Sequence, residues 1–199
     1  WSILKEKDVP LDKKEKQLSD YQSHLSSWNK THNLVSKSQV ENISEHIEDS
    51  LSIGTYLGKN IIDLGSGGGL PGIPLAIMYP KKNFYLVESN TKKSAFLLNA
   101  TTKLNLANTH VLNTRIESLD INLLPETFDI VVRAVGTTEF ILNLVAPLLR
   151  NKGTFLKLMK TENQFSQENI PNGYIVKKVE KYPSKAKDKT RILVTIYAE

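Results

Sequence analysis

The most constraining feature of the chain is the segment Ile61–Gly72, which reads IIDLGSGGGLPG. A short apolar run, typical of a buried strand, reaches an acidic residue, Asp63, and then three glycines at alternate positions, Gly65, Gly67 and Gly69. Glycine has no Cβ and adopts positive φ readily, so a ligand can lie directly against such a backbone. The segment therefore predicts a strand, a tight turn and a helix start that together hold a nucleotide-like ligand.

From residue 61 onward, short β-rich runs alternate with helical runs. We predict strands at 61–64, 83–87, 109–113, 128–132 and 153–159, and helices at 71–79, 91–105 and 137–149. This alternation is typical of a parallel sheet with helices on both faces. Two further strands, at 173–182 and 190–197, are separated by a polar loop and predict an antiparallel edge hairpin. Upstream, apolar residues at helical spacing predict helices at 11–30 and 39–56.

Length and composition favour a single α/β domain over residues 1–199. We expect a helical extension at 1–58 that packs on a Rossmann-like core at 59–199. The chain has no cysteine, and its four histidines show no metal-ligand spacing, so we expect no metal. It also lacks an apolar stretch long enough to span a bilayer and a signal-peptide pattern, so we expect a cytoplasmic protein with no membrane partner.

The net charge of +5 is concentrated near the end of the chain. Residues 177–191 contain seven basic and two acidic residues, a surplus equal to that of the whole chain. One interpretation is a solvated edge hairpin, because edge strands carry lysines against aggregation. The other is a patch that contacts nucleic-acid phosphates.

Three ligands compete for the glycine loop. A P-loop requires Lys-Ser or Lys-Thr after the glycines, and Leu70-Pro71 excludes it. A dinucleotide fingerprint, Gly-x-Gly-x-x-Gly, is matched only out of register with the strand. The third pattern, Asp-x-Gly-x-Gly-x-Gly from Asp63 to Gly69, resembles the first motif of class I S-adenosylmethionine methyltransferases. In that class the glycines receive the amino-acid half of the cofactor.

Two downstream features support the methyltransferase interpretation. The predicted second strand ends at Glu88, 23 residues after Gly65, where a carboxylate can accept hydrogen bonds from both ribose hydroxyls. After the third strand comes Arg115-Ile116-Glu117, and in class I methyltransferases this loop commonly contacts adenine. The carboxylate also fits a nicotinamide cofactor, so it does not discriminate alone. We expect S-adenosyl-L-methionine as the cofactor.

The sequence also restricts the chemistry of the methyl acceptor. Cytosine C5 methylation uses a cysteine nucleophile, which this chain lacks, and the tetrapeptide typical of amine methylation is absent after the fourth strand. A guanine N7 has a free lone pair and requires no general base, so the lack of an obvious base is compatible with N7 methylation.

Several segments, spread from about Trp28 to Arg191, together resemble one family. They are Trp-Asn-Lys and Asn-Leu at 28–30 and 33–34, HIEDSL at 46–51, GSGGGLPGIPLA at 65–76, Arg-Ala-Val at 133–135, and Lys160. The chain resembles the bacterial RsmG family, also called GidB, whose members methylate the N7 of a guanine in 16S ribosomal RNA of the small subunit. The family usually has Asp where Glu88 stands.

The resemblance implies roles for individual residues. The cofactor is expected to contact Gly65, Leu70, Ile116, Glu117 and Arg133, in addition to Gly67, Gly69 and Glu88 from the motif. The catalytic residue stays unassigned, with Arg133, Lys160, His46 and Asp49 as candidates at the RNA-facing mouth. Lys160 and Arg191 are candidate RNA contacts.

The expected activity is therefore methylation of a guanine N7 in small-subunit ribosomal RNA by a monomer. One alternative is a class I methyltransferase that acts on another RNA, a protein or a small molecule. Another is a cofactor-binding, RNA-associated protein without turnover.

Overall fold

A computed structural model describes residues 9–133, 136–150, 153–165, 170–184 and 190–199. Within these ranges no helix is long and apolar enough to cross a membrane. The helices are α1 (Leu11–His32), α2 (Lys37–Glu41), α3 (Ile43–Leu51), α4 (Gly72–Met78), α5 (Thr91–Lys103) and α6 (Thr138–Leu149). The strands are β1 (Asn60–Leu64), β2 (Asn83–Val87), β3 (Thr109–Leu112), β4 (Asp129–Arg133), β5 (Phe155–Thr161), β6 (Tyr174–Tyr182) and β7 (Arg191–Ala198).

The single helix predicted at 39–56 is wrong, because the segment forms α2, α3 and a short 3₁₀ helix, Gly54–Tyr56. The Ser36 side chain accepts a hydrogen bond from the N–H of Gln39 and so starts α2 two residues earlier than expected. Asn42 then leaves the helical conformation, at φ −115° and ψ 29°, which ends α2 before α3 begins.

The seven strands form one sheet in the order β3-β2-β1-β4-β5-β7-β6. The first five strands along the chain are parallel, whereas β7 runs antiparallel to both β5 and β6. The predicted class I methyltransferase fold with its antiparallel edge pair is confirmed. Strand order reverses at β1, which lies between β2 and β4, and in open α/β sheets ligands bind beyond the carboxyl ends of the strands at such a point.

Two apolar cores cover the two faces of the sheet. Ile61 belongs to the core that contains Tyr21 of α1, Ile47 of α3 and Phe96 of α5. Its neighbour Ile62 belongs to the second core, against α6. This alternation follows from the two-residue period of a strand, and it places the N-terminal helices on the same face as α4 and α5.

Gly72, the first residue of α4, lies in close contact with two buried neighbours. A Cβ at this position would clash with the Leu86 side chain and lie 2.6 Å from an Asp63 carboxylate oxygen. Gly72 therefore permits α4 to start directly against β1 and β2.

We predict that Gly72→Ala lowers the free energy of unfolding by about 1–3 kcal/mol, the usual cost of overpacking a core. Chemical denaturation of the two proteins measures the difference. Gly173→Ala is a comparison without steric overlap: no atom lies within 4 Å of the added Cβ, and only the φ of +90° opposes the substitution. Equal stability of Gly72→Ala and the unchanged chain would contradict the close packing at α4.

Candidate active site

The glycine loop returns sharply after β1 and is held against β2. The backbone N–H groups of Gly65 and Ser66 both donate to the carbonyl of Val87, at 2.9 and 3.2 Å. Gly65, Gly67 and Gly69 have φ of 71°, 55° and 89°, in the region that glycine adopts without steric cost. The alternate glycines are therefore explained by backbone conformation at all three positions.

The carboxylate of Glu88 fixes the other side of the loop. One oxygen accepts the N–H of Gly67 at 2.9 Å, and the other accepts the N–H of Asn90 at 2.8 Å. The Asn90 side chain in turn accepts the N–H groups of Lys92 and Lys93 at the start of α5. Each carboxylate oxygen has a second lone pair, so Glu88 can hold this loop and still accept hydrogen bonds from a ligand.

A cavity of about 260 Å³ opens beside Gly65 at the carboxyl edge of the sheet. Glu88 and Glu117 supply carboxylates, whereas Ile116, Phe140 and Leu144 supply apolar surface. The other lining residues are Leu64, Val87, Ser89, Thr114 and Arg115. The Phe140 side chain is 54% exposed, an unusual state for a large apolar residue and one that a bound aromatic ring would relieve.

Asp63 lies underneath the glycine loop and is 1% exposed. Its carboxylate accepts the N–H of Gly72 at 2.9 Å, and its backbone carbonyl accepts the Ser66 hydroxyl at 2.8 Å. Burial raises the pKa of Asp63 to about 7, despite the opposing hydrogen bond from Gly72. Asp63 therefore supports the loop from inside and does not face the cavity.

A second polar cluster joins three distant parts of the chain. Arg133 at the end of β4 lies 2.6 Å from Nδ1 of His46 and 3.8 Å from the carboxylate of Asp49, both on α3. Arg191 at the start of β7 lies 3.6 Å from the other oxygen of Asp49. We call these four residues the arginine cluster. Asp49 is only 3% exposed, and a buried carboxylate requires nearby positive charge. The two guanidinium groups supply that charge.

Several atoms of this cluster are buried without a hydrogen-bond partner. They are Oδ1 of Asp49, Nη1 of Arg133, Nε of Arg191 and the hydroxyl of neighbouring Tyr182. Burial, and then the charge of Arg133, lower the pKa of His46, which favours the neutral ring and an Nδ1 that accepts from Arg133. Three of these atoms, on Arg133, Arg191 and Tyr182, are unpaired donors, and such donors are suited to an anionic ligand.

The structure brings together only part of the predicted site. Gly65, Glu88, Ile116 and Glu117 line the cavity. Gly67 and Arg133, also predicted as cofactor contacts, do not line it, and Gly67 is linked to it only through its hydrogen bond to Glu88. Leu70 is nine-tenths buried in the core of the helical face and does not line the cavity. A Cβ at Gly69 would meet Ile73 and Leu97, so this glycine serves helix packing.

Two expectations about position change in the structure. Lys160 was expected to follow the fifth strand, but β5 extends to Thr161 and Lys160 lies inside it. The basic segment at 177–191 is described only in part, because Lys185, Lys187 and Lys189 lie outside the described residues, as do Ala134 and Val135. Lys178 and Lys181 of that segment form ion pairs with Glu180 and Glu162.

Sequence reasoning missed Phe140 and Leu144 on α6. The helix itself was predicted, but an apolar side chain on a helix gives no sign that it faces a cavity and not the core. In the described part of the chain, no three His, Asp or Glu side chains are grouped to hold a metal ion.

Known proteins of one family are similar to this chain. The chain matches the GidB family, described as rRNA small subunit methyltransferase G, over residues 14–194. It is 40% identical over 161 residues to ribosomal RNA small subunit methyltransferase G of Hydrogenovibrio crunogenus, covering 78% of this chain and 72% of the relative. The corresponding protein of Saccharophagus degradans is 35% identical over 163 residues, covering 81% and 72%.

A solved structure shows the same fold. Magnesium protoporphyrin IX methyltransferase from Synechocystis, with bound S-adenosylmethionine, superposes with a TM-score of 0.59 at 15% identity. The match covers 96% of this chain and all of the other. The fold and the glycine loop define a class I S-adenosylmethionine-dependent methyltransferase. Within that class the chain belongs to the GidB family of small-subunit ribosomal RNA methyltransferases, as its sequence motifs predicted.

The raised pKa of Asp63 makes the stability of the fold depend on pH. In the folded chain its carboxyl keeps its proton up to about pH 7, whereas the unfolded chain releases it near the ordinary value of 3.8. The folded state therefore binds more protons between these values, and Asp63 lowers the free energy of unfolding as pH rises from about 4 to 7.

Asp63→Asn keeps an acceptor for Gly72 but has no charge. We expect its free energy of unfolding, relative to that of the unchanged chain, to be higher at pH 8 than at pH 5. Thermal denaturation at both pH values measures this difference. Asp12→Asn, at an exposed position on α1, controls for the loss of one carboxylate. A stability difference that is the same at both pH values would show that Asp63 is already ionised in the fold at pH 5.

Proposed function

We propose that this chain transfers the methyl group of S-adenosyl-L-methionine to N7 of a guanine in 16S ribosomal RNA, at the cavity beside Gly65. The observation that carries the proposal is the cavity between a glycine loop and the Glu88 carboxylate, at the reversal point of the sheet, in a chain of the GidB family. Supporting it, the cavity offers acceptors for ribose hydroxyls and an apolar wall for a purine.

The proposed cofactor contacts follow from the chemistry of each residue. Glu88 accepts the ribose hydroxyls with its remaining lone pairs, and Ile116 with Phe140 encloses the adenine ring while Glu117 accepts from its amine. Arg133 does not line the cavity, but it ends β4 beside β1, and in this proposal its guanidinium binds the methionine carboxylate. Gly65 and Gly67 let the ligand approach the backbone. Gly69 and Leu70 act indirectly, by fixing the loop against α4.

S-adenosylmethionine, when bound, supplies a methyl group that is already activated. The chain then has to orient the guanine and exclude water, because N7 attacks with its own lone pair and loses no proton. Among the candidates, His46 and Asp49 hold Arg133 in place, and Lys160 with Arg191 faces the RNA. No residue of this set is required as a general base.

Further parts of the proposal concern the molecule as a whole. We take residues 1–58 and 59–199 as one domain, which acts as a monomer in the cytoplasm without a metal. The alternative is a class I methyltransferase whose acceptor is another RNA, a protein or a small molecule.

The proposal predicts the product. Incubation with radiolabelled S-adenosylmethionine and unmethylated small ribosomal subunits should place label on 7-methylguanine, measured by nucleoside analysis after digestion of the RNA. Free 16S ribosomal RNA and large subunits serve as parallel substrates. Label on protein alone, or on a base other than guanine, would refute the proposed acceptor.

Removal of the Glu88 carboxylate tests the proposed contact with the ribose of the cofactor. Glu88→Ala should weaken S-adenosylmethionine binding on the order of 100-fold, since a hydrogen bond to a charged group contributes about 1.5–3 kcal/mol. Isothermal titration calorimetry measures the Kd, and a thermal melt verifies folding. Glu126→Ala removes an exposed carboxylate and is the matched control. If both variants bind the cofactor equally well, the Glu88 cavity is not its site.

A further inference from the structure

A second and larger depression lies behind the glycine loop, on the helical extension. Its volume is about 720 Å³, and its walls come from the end of α1, the 33–36 connection, α2 and the first turn of α5. We call it the N-terminal groove and define it by its polar side chains. These are Ser26, Asn29, Lys30, Asn33, Ser36, Lys37, Gln39, Glu41 and Lys93.

The groove carries positive charge that the described residues do not neutralise. Three lysines, Lys30, Lys37 and Lys93, face one acidic residue, Glu41. Across the described ranges, none of the three lysines takes part in an ion pair, whereas Lys16, Lys178 and Lys181 elsewhere do. A concave surface with one sign of charge concentrates counter-ions, and here these are anions.

Hydrogen bonds and a buried anchor residue hold the wall of the groove in place. The Asn29 side-chain oxygen accepts the N–H of Val35 at 2.9 Å, which leaves its amide N–H₂ able to donate into the groove. Ser36 and Gln39 form a reciprocal pair of hydrogen bonds that fixes the start of α2. Leu34 is 2% exposed and anchors the connection in the core. Anion binding there requires little ordering of the backbone.

The groove is also coupled to the cofactor loop. A Cβ at Gly68 would lie 2.7 Å from the Val35 side chain, so the groove wall packs directly on the loop. On the same face, the Tyr21 hydroxyl donates to the Gly68 carbonyl at 2.6 Å. Lys93 lies in the first turn of α5, and its N–H donates to the side chain of Asn90, whose own N–H donates to Glu88. The groove and the cofactor cavity therefore lie on opposite sides of one loop.

We propose that the N-terminal groove binds the ribose-phosphate backbone of the substrate RNA, with its lysines on phosphates and its asparagine amides on ribose or phosphate oxygens. This rests on the proposed function, because it names the chain's RNA as the occupant. A nucleic-acid backbone fits better than an acidic protein, since lysines and amides spaced along the groove match a repeating anion.

The experiment compares two triple variants. Lys30, Lys37 and Lys93 are changed together to Gln, and a control changes the exposed Lys13, Lys59 and Lys103 to Gln, which removes the same charge from other surfaces. Binding of unmethylated small ribosomal subunits is measured at 50–200 mM salt, together with cofactor affinity by calorimetry.

Each phosphate contact contributes about 0.7 to the slope of log affinity against log salt for single strands. The magnitude of this slope should be smaller by about 2 in the groove variant. Between 50 and 200 mM salt, the affinity of the unchanged chain should therefore fall about 20-fold further than that of the variant. Its KM for subunits should rise, with cofactor Kd unchanged.

The outcomes separate the two proposals. If the unchanged chain methylates subunits and both triple variants retain the full slope, or lose it equally, the groove proposal is wrong and the proposed function stands. If the unchanged chain binds the cofactor but methylates no RNA, the proposed function is wrong, and the salt slope for RNA binding still tests the groove. Loss of slope in the groove variant alone supports the proposal.

Discussion

The ligand-binding edge of this protein depends on two carboxylates that hold one loop from opposite sides. Asp63 supports the loop from the core by accepting the N–H of Gly72, and Glu88 holds its outer side by accepting the N–H of Gly67. A loop with four glycines between residues 65 and 69 has high conformational entropy when unfolded, so fixed partners are needed to give it one shape. Because Glu88 uses only part of its accepting capacity for this purpose, the same side chain can also serve a ligand.

The N-terminal helices complete this arrangement. α1 contributes the Tyr21 hydroxyl to the Gly68 carbonyl, and α3 contributes His46 and Asp49 to Arg133. A Rossmann-like core without these helices would leave the backbone of the glycine loop exposed on its rear side and Arg133 without its partners. The extension is thus a structural part of the site, in addition to offering the N-terminal groove.

The sequence was sufficient for the fold and for much of the cavity, because both depend on local patterns. The period of the apolar residues predicted the strands, and the positions just after β1, β2 and β3 predicted Gly65, Glu88 and Ile116. The rest depends on contacts between distant segments. Neither the break at Asn42 nor the exposure of Phe140 follows from local spacing. The packing of Gly69 on Ile73 and Leu97, which adds to its positive φ, does not follow from local spacing either.

The arginine cluster has a consequence for how the protein is made. Asp49 is synthesised before Arg133 of β4, and Arg133 before Arg191 of β7, which pairs with β5. Until β7 pairs with β5, Asp49 has only one of its two cationic neighbours, and a half-balanced carboxylate disfavours burial. The arginine cluster therefore closes only after β7 has been synthesised, so a chain that has not yet reached β7 does not present the finished cluster.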